Sequence, residues 1–218
     1  MRQFDLIVFD MDGVLTDSTS CHSRAYSDLW SRTGIANPPA YETIAGRATA
    51  EVVREYTAGL DPAPAEIRAW TRWKQERARE YLQKSSAFPD ALPALETLSS
   101  LGFHLALGTG ASAATARMLL NQGGLDVYLP VIVTADDVSR GKPHPETYAR
   151  AITLSAGTPE KSLVVEDSAS GLVAGAAAGA WTASVRSGEQ VDDPNFIGIF
   201  PDLGSLLTVI TGQARVSS

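Results

Sequence analysis

Leu6-Ile7-Val8-Phe9-Asp10-Met11-Asp12-Gly13 is an unbroken apolar run that stops at two carboxylates and a glycine. A short run of this kind, rich in β-branched and aromatic side chains, predicts a strand buried on both faces, because a half-solvated strand alternates apolar with polar residues. Three further runs share that character: Phe103-His104-Leu105-Ala106-Leu107, Val131-Ile132-Val133 and Leu163-Val164-Val165. Helical segments are expected between and after them, over residues 91–101, 113–122, 145–156 and 168–178. Strands alternating with helices of this length predict an α/β fold, a Rossmann-like parallel sheet core flanked by helices.

The first crossover is the exception. About ninety residues separate the first two strands, far more than a simple crossover needs, so an inserted module is required. Residues 18–87 are expected to form an all-helical cap domain, and residues 1–17 and 88–218 the α/β core. Within the insert Ser18 is a candidate N-cap, and Cys21, Ala25 and Leu29 recur at four-residue spacing with Tyr26 and Trp30 beside them. A second long helix is expected over residues 65–83, with Ile67, Trp70, Ala78, Tyr81 and Leu82 on its apolar face and Trp73 off it, free to line an interface. Pro38-Pro39 and Pro62 with Pro64 punctuate the insert, and the tail after Gly212 is expected to fray.

Composition narrows the function. With 218 residues, 44% of them hydrophobic, the chain is long enough for a full core. It has no apolar stretch of about 18 residues and no leader-like N-terminus, which predicts a cytoplasmic protein without membrane partners. A lone Cys21 makes no internal disulfide. The formal charge of −7 argues against a nucleic-acid partner, though a bound cation and a few placed bases still permit an anionic substrate.

In an open parallel sheet the strand C-termini share one edge, and ligands bind there. The residues that end these strands should therefore converge: Asp10 and Asp12, Thr109-Gly110, Glu166-Asp167, and Lys142 from the loop Arg140-Gly141-Lys142-Pro143-His144-Pro145. Carboxylates gathered at one edge need a cation, and all-oxygen ligation suits Mg²⁺. Such a cation would let one aspartate approach phosphorus as a nucleophile, the role expected of Asp10. Lys142 and Thr109-Gly110 would hold the other phosphoryl oxygens, and Asp12, two residues on, would act as acid and base. Gly13 would let the chain turn beneath the pair. The expected substrate is a small phosphorylated metabolite, a sugar or hydroxy-acid phosphate. No Gly-x-x-x-x-Gly-Lys-Ser/Thr run is present, which disfavours a P-loop nucleotide enzyme.

The segments Asp10-Met11-Asp12-Gly13-Val14-Leu15-Thr16-Asp17, Leu107-Gly108-Thr109-Gly110, Gly141-Lys142-Pro143 and Val165-Glu166-Asp167-Ser168-Ala169-Ser170-Gly171, in that order, resemble the four signatures of the haloacid dehalogenase superfamily. The resemblance is to its helical-cap branch, which includes phosphoglycolate phosphatase, sugar-phosphate phosphatases and β-phosphoglucomutase. It implies an aspartyl-phosphate on Asp10, which also ligates Mg²⁺; Asp12 as acid/base and as ligand through its carbonyl; Thr109 and Lys142 on the phosphate; and Asp167 with Glu166 around the metal. Glu166 would ligate directly or through water. Asp17 would steer the chain into the cap.

The same resemblance puts Gly46-Arg47 where a cap loop meets the site, so that Arg47 either grips a second anionic group or is an ordinary helix charge. His22 is either a packed histidine or a substrate contact. Of the cap cations Arg47, Arg54, Arg68, Arg72 and Lys74, several are expected at the surface. Gly110-Ala111 replace the Asn or Ser common after the second-signature hydroxyl, which predicts extra room for substrate. The lysine a mutase carries there is missing, which favours a phosphatase over a phosphosugar mutase. A non-catalytic phospho-accepting domain is a remoter alternative, since such domains lack a large insertion.

Overall fold

The computed structural model describes residues 3–212. The tail after Gly212 falls outside them. β1 (Leu6–Phe9) is a fully buried strand of four residues: every one of its side chains is at most 1% exposed. Ile7 and Phe9 face one layer and Leu6 and Val8 the other, as the period of two in a strand requires. Burying each such side chain contributes about 1.5–3 kcal/mol, which explains why the run tolerates no polar residue.

The sheet is parallel throughout. β2 (His104–Gly108) and β3 (Val131–Val133) extend it on one side of β1, and β4 (Ser162–Glu166), β5 (Trp181–Val185) and β6 (Phe196–Phe200) on the other, giving the order β3-β2-β1-β4-β5-β6. Sequence reading has only the first four. β5 carries Thr182 and Ser184 in its buried interior, and β6 is a half-exposed edge interrupted by Gly198, so neither has the unbroken apolar signature.

Nine α-helices occur among the described residues. Between β1 and β2 lie α1 (Thr19–Thr33), α2 (Tyr41–Ile44), α3 (Thr49–Tyr56) and α4 (Pro64–Leu82), followed by α5 (Ala91–Ser100). After β2 come α6 (Ala113–Gly123), α7 (Glu146–Leu154), α8 (Ala169–Ala177) and α9 (Leu203–Thr211). α5, α6 and α9 cover one face of the sheet, and α7 and α8 the other. None of these helices is long and apolar enough to cross a membrane.

The insert expected from sequence carries helices and no strand of the sheet, joined by loops that include residues 35–40 and 45–48. It has its own apolar cluster of Tyr26, Leu29, Trp30, Ile44, Val52 and Val53, in which the Tyr26 and Trp30 rings stack at 5.6 Å. Trp73 packs against this cluster beside Trp70 instead of standing free, with the Arg32 guanidinium over its ring. Ala25, Ala78 and Leu82, nearer the sheet, join the main core instead. The chain enters and leaves this segment side by side: Asp17 N–H donates to the Ser86 carbonyl and Phe88 N–H to the Leu15 carbonyl, each at 3.0 Å.

Candidate active site

β1 pairs in register with both neighbours, Phe9 opposite Leu107 and Val165. One residue further on, Asp10, Gly108 and Glu166 therefore stand in a row at the carboxyl edge of the sheet. The Lys142 ammonium meets all three: Asp10 Oδ1 at 2.6 Å, Glu166 Oε1 at 2.7 Å and the Gly108 carbonyl at 3.0 Å. A lysine has three protons to donate, and here each has an acceptor. Lys142 is fully buried. Burial works against its charge, yet Asp10 and Glu166 outweigh burial and hold its pKa above the ordinary lysine value.

Glu166 is equally occupied. Oε1 also accepts from the Tyr148 hydroxyl at 2.5 Å, and Oε2 accepts from the N–H groups of Asp167 and Ser168 and from the Ser168 hydroxyl. Burial pushes its carboxyl up, but Lys142 and these donors bring it below the usual range. The backbone makes room for it at Gly171, where a β-carbon would stand 1.7 Å from Oε1.

Asp10 and Asp167 have the opposite balance. Burial raises Asp10 to about 8, with Glu166 and Asp12 adding to the rise and only Lys142 opposing it. Burial and then the charges of Glu166, Asp10 and Asp12 lift Asp167 well above the carboxylate range. One oxygen from each of Asp10, Glu166 and Asp167 falls within 4.8 Å of the others. One buried lysine against this group of acids leaves negative charge unbalanced, and hard oxygen donors in excess of their counter-charge fit Mg²⁺. Gly13, at φ +81°, gives Asp167 its place: a β-carbon there would stand 1.8 Å from the Asp167 carboxylate.

Asp12 turns away from that group. Its Oδ1 accepts from the Ser18 hydroxyl at 2.5 Å and lies 3.2 Å from His22 Nε2, while His22 Nδ1 lies 3.1 Å from Lys74 Nζ. Burial opposes ionisation of Asp12, but His22 and Ser18 hold its carboxyl below the ordinary value. Ser18 therefore spends its hydroxyl on Asp12 and makes no side-chain cap to α1. Arg54, Arg68 and Arg72 are exposed, as expected of several of these cations, but Lys74 is buried, 3.9 Å over the Tyr26 ring, and burial lowers it to about 7 against the pull of Asp12. Position 74 falls four residues after Trp70 and four before Ala78, so the apolar spacing of α4 itself marked it.

Thr109 is buried. Its N–H donates to the Val133 carbonyl, and its hydroxyl accepts from Ala111 N–H at 3.0 Å. The expected extra room at Gly110 is absent, because a β-carbon there would stand 2.5 Å from the Gly46 carbonyl oxygen and 3.3 Å from that of Arg47. The space left by a missing side chain is filled by backbone of the 45–48 loop. That loop is tied to α8 by the Ser170 hydroxyl on the Ala45 carbonyl at 2.6 Å, and Glu51 of α3 accepts from Gly141 N–H at 2.6 Å. A cavity of about 40 Å³ remains, lined by Asp10, Asp12, His22, Gly46, Arg47 and Gly110 among others. Arg47 pairs through Nη2 with Glu55 at 2.5 Å. Sequence reading missed Tyr148, Glu51 and Glu55, which have no motif of their own.

Comparison with known proteins gives a consistent picture. The sequence matches the haloacid dehalogenase-like hydrolase family over residues 4–179. It is 34% identical over 181 residues to hexitol phosphatase A of Escherichia coli K12, covering 83% of this chain and 82% of that one. It is 30% identical over 185 residues to the fructose-1-phosphate phosphatase YqaB of the same organism, covering 83% and 95%. The crystal structure of a hydrolase from Pseudomonas syringae superposes with a TM-score of 0.84 at 22% identity, covering 97% of this chain and all of that one. The chain belongs to the haloacid dehalogenase-like hydrolases.

Proposed function

We propose that this hydrolase is a Mg²⁺-dependent phosphatase that cleaves a small sugar or hydroxy-acid phosphate through an aspartyl-phosphate on Asp10, with residues 18–87 acting as a cap. The observation that carries this reading is the Lys142 ammonium held between Asp10 and Glu166 at the sheet edge, beside a cavity that Asp12 shares. The phosphatase names of the relatives support it.

Asp10 and Asp167, with the Asp12 main-chain carbonyl, would hold Mg²⁺, and Glu166, its oxygens taken up by Lys142, Tyr148 and Ser168, would act through water. Bound there, the ion supplies charge screening between the phosphate and the attacking carboxylate. An Asp10 oxygen attacks phosphorus, and the bond to the ester oxygen breaks. The approaching anion raises the proton affinity of Asp12, which delivers a proton to the departing alkoxide. Lys142 and the backbone at Thr109-Gly110 offset charge on the phosphoryl oxygens. A water then attacks the phosphoenzyme while Asp12 takes its proton, releasing inorganic phosphate and regenerating Asp10. The cavity of about 40 Å³ has room for a few waters but not for a sugar phosphate, so substrate enters with the insert lifted and reacts with it down.

The test is a screen of phosphorylated metabolites with and without Mg²⁺, run beside Asp10→Asn. The variant should lose turnover by about three orders of magnitude or more, because an amide is no nucleophile. Turnover at the parent rate would refute the mechanism.

A further inference from the structure

Arg47 is the one guanidinium that the insert places along the cavity wall, and its two ends face different surroundings. Nη2 is committed to Glu55 Oε2 at 2.5 Å, and Nε is buried without a hydrogen-bond partner. The side chain is 17% exposed, against 51% for Glu55, so the pair runs from the cavity wall out to solvent. Burial works against the Arg47 charge, and Glu55, with smaller help from Glu51, restores it. α3 thus carries two acids one turn apart on the side of the cap loop, Glu51 on Gly141 N–H and Glu55 on Arg47. Tyr26 adds a second orphan to the same wall: its hydroxyl, close to Thr49 and Arg47, is buried and makes no hydrogen bond of ordinary geometry.

Buried donors without partners cost about 1–3 kcal/mol each, and they persist where a ligand satisfies them. A free arginine would attract a second phosphate or a carboxylate. An arginine already neutralised by Glu55 offers Nε–H as a donor without surplus positive charge, and an incoming anion would also meet the fields of Glu55 and Glu51. A hydroxyl suffers neither penalty. It can accept from Arg47 Nε–H and share a proton with Tyr26 Oη.

We propose that Glu55 is a specificity-determining residue: by neutralising Arg47 it makes the cap select substrates whose only anionic group is the phosphate being cleaved, with hydroxyls read by Arg47 Nε–H and Tyr26 Oη. This rests on the phosphatase reading above and narrows its substrate class to polyol or sugar monophosphates, excluding hydroxy-acid phosphates and bisphosphates.

Sorbitol 6-phosphate and 6-phosphogluconate test it, because they share a carbon chain and differ at the far end, an alcohol in one and a carboxylate in the other. The parent should prefer sorbitol 6-phosphate in kcat/KM by about tenfold or more. Glu55→Gln should shrink that ratio about tenfold, through a lower KM for 6-phosphogluconate, whereas Arg47→Gln should widen it, since the acids would then stand unopposed. An unchanged ratio in Glu55→Gln, or a parent that takes both esters equally, overturns the assignment. Titration calorimetry of both ligands with Asp10→Asn, with and without Glu55→Gln, separates selectivity from chemistry. If no ester is hydrolysed but Glu55→Gln still strengthens 6-phosphogluconate binding about tenfold relative to sorbitol 6-phosphate, the phosphatase reading falls and the role of Glu55 stands. If the relative affinities do not move, the role of Glu55 falls.

Discussion

Replacing Lys74 by methionine should change how the stability of this protein depends on pH. Lys74 is 3% exposed, with its ammonium over the Tyr26 ring and 3.1 Å from His22 Nδ1. Burial lowers it from 10.5 to about 7, and the Asp12 charge keeps the fall from being larger. Below pH of about 7 the folded and unfolded chains both carry the proton, and the full cost of burying the ammonium is felt. Between there and the unfolded value the unfolded chain holds a proton that the folded chain has released, so stability rises with pH.

The slope is about 1.4 kcal/mol per pH unit, and the whole window amounts to about 5 kcal/mol. Methionine keeps the length of the stem and removes the titration. Urea denaturation of both proteins at about pH 7.5 and about pH 9.5 should show the parent gaining roughly 2–3 kcal/mol on the variant, with other groups cancelling in the difference. The variant should be the more stable of the two at the lower pH. A difference that stays flat across the window would refute the reasoning, since it would mean that Lys74 reaches solvent or keeps its charge when folded.

Gly110→Ala should raise KM by about three- to tenfold with a smaller effect on kcat, because the new β-carbon would displace the Gly46 carbonyl and lift the 45–48 loop from the site. Steady-state kinetics check this, and an unchanged KM would mean that the loop does not rest on Gly110 during turnover. Tyr148→Phe removes the hydroxyl that donates to Glu166 while keeping the ring beneath Lys142, and should cost about 1–3 kcal/mol in chemical denaturation. A neutral result would show that Glu166 is held well enough by Lys142, Ser168 and Asp167 N–H.

Much of the fold was legible because burial on both faces leaves a plain trace in sequence. The runs at residues 6–9 and 163–165 are apolar without a break and end in acids, and both became central strands. β5 was not legible, since Thr182 and Ser184 occupy positions whose burial follows from neighbouring strands and not from their own polarity. Lys74 was half legible: its slot on the apolar row of α4 marked it, but its charge argued for the surface. The room expected at Gly110 failed because a missing side chain says nothing about what backbone comes to fill the space.

By itself the sequence determined the parallel sheet, the helical insert after its first strand and the acids and lysine that end at one edge, because hydrophobic periodicity and parallel connectivity are properties of local spacing. Only the tertiary structure decided the partners. Lys142 bridges Asp10 and Glu166 because three strand ends come into register, Lys74 reaches the histidine beside Asp12 because α4 packs on α1, and Arg47 spends its charge on Glu55 because the loop before α3 folds back over that helix. Spacing along a chain encodes which face a residue occupies. Which charge it meets there depends on how separate elements pack, and that determines its pKa and its chemistry.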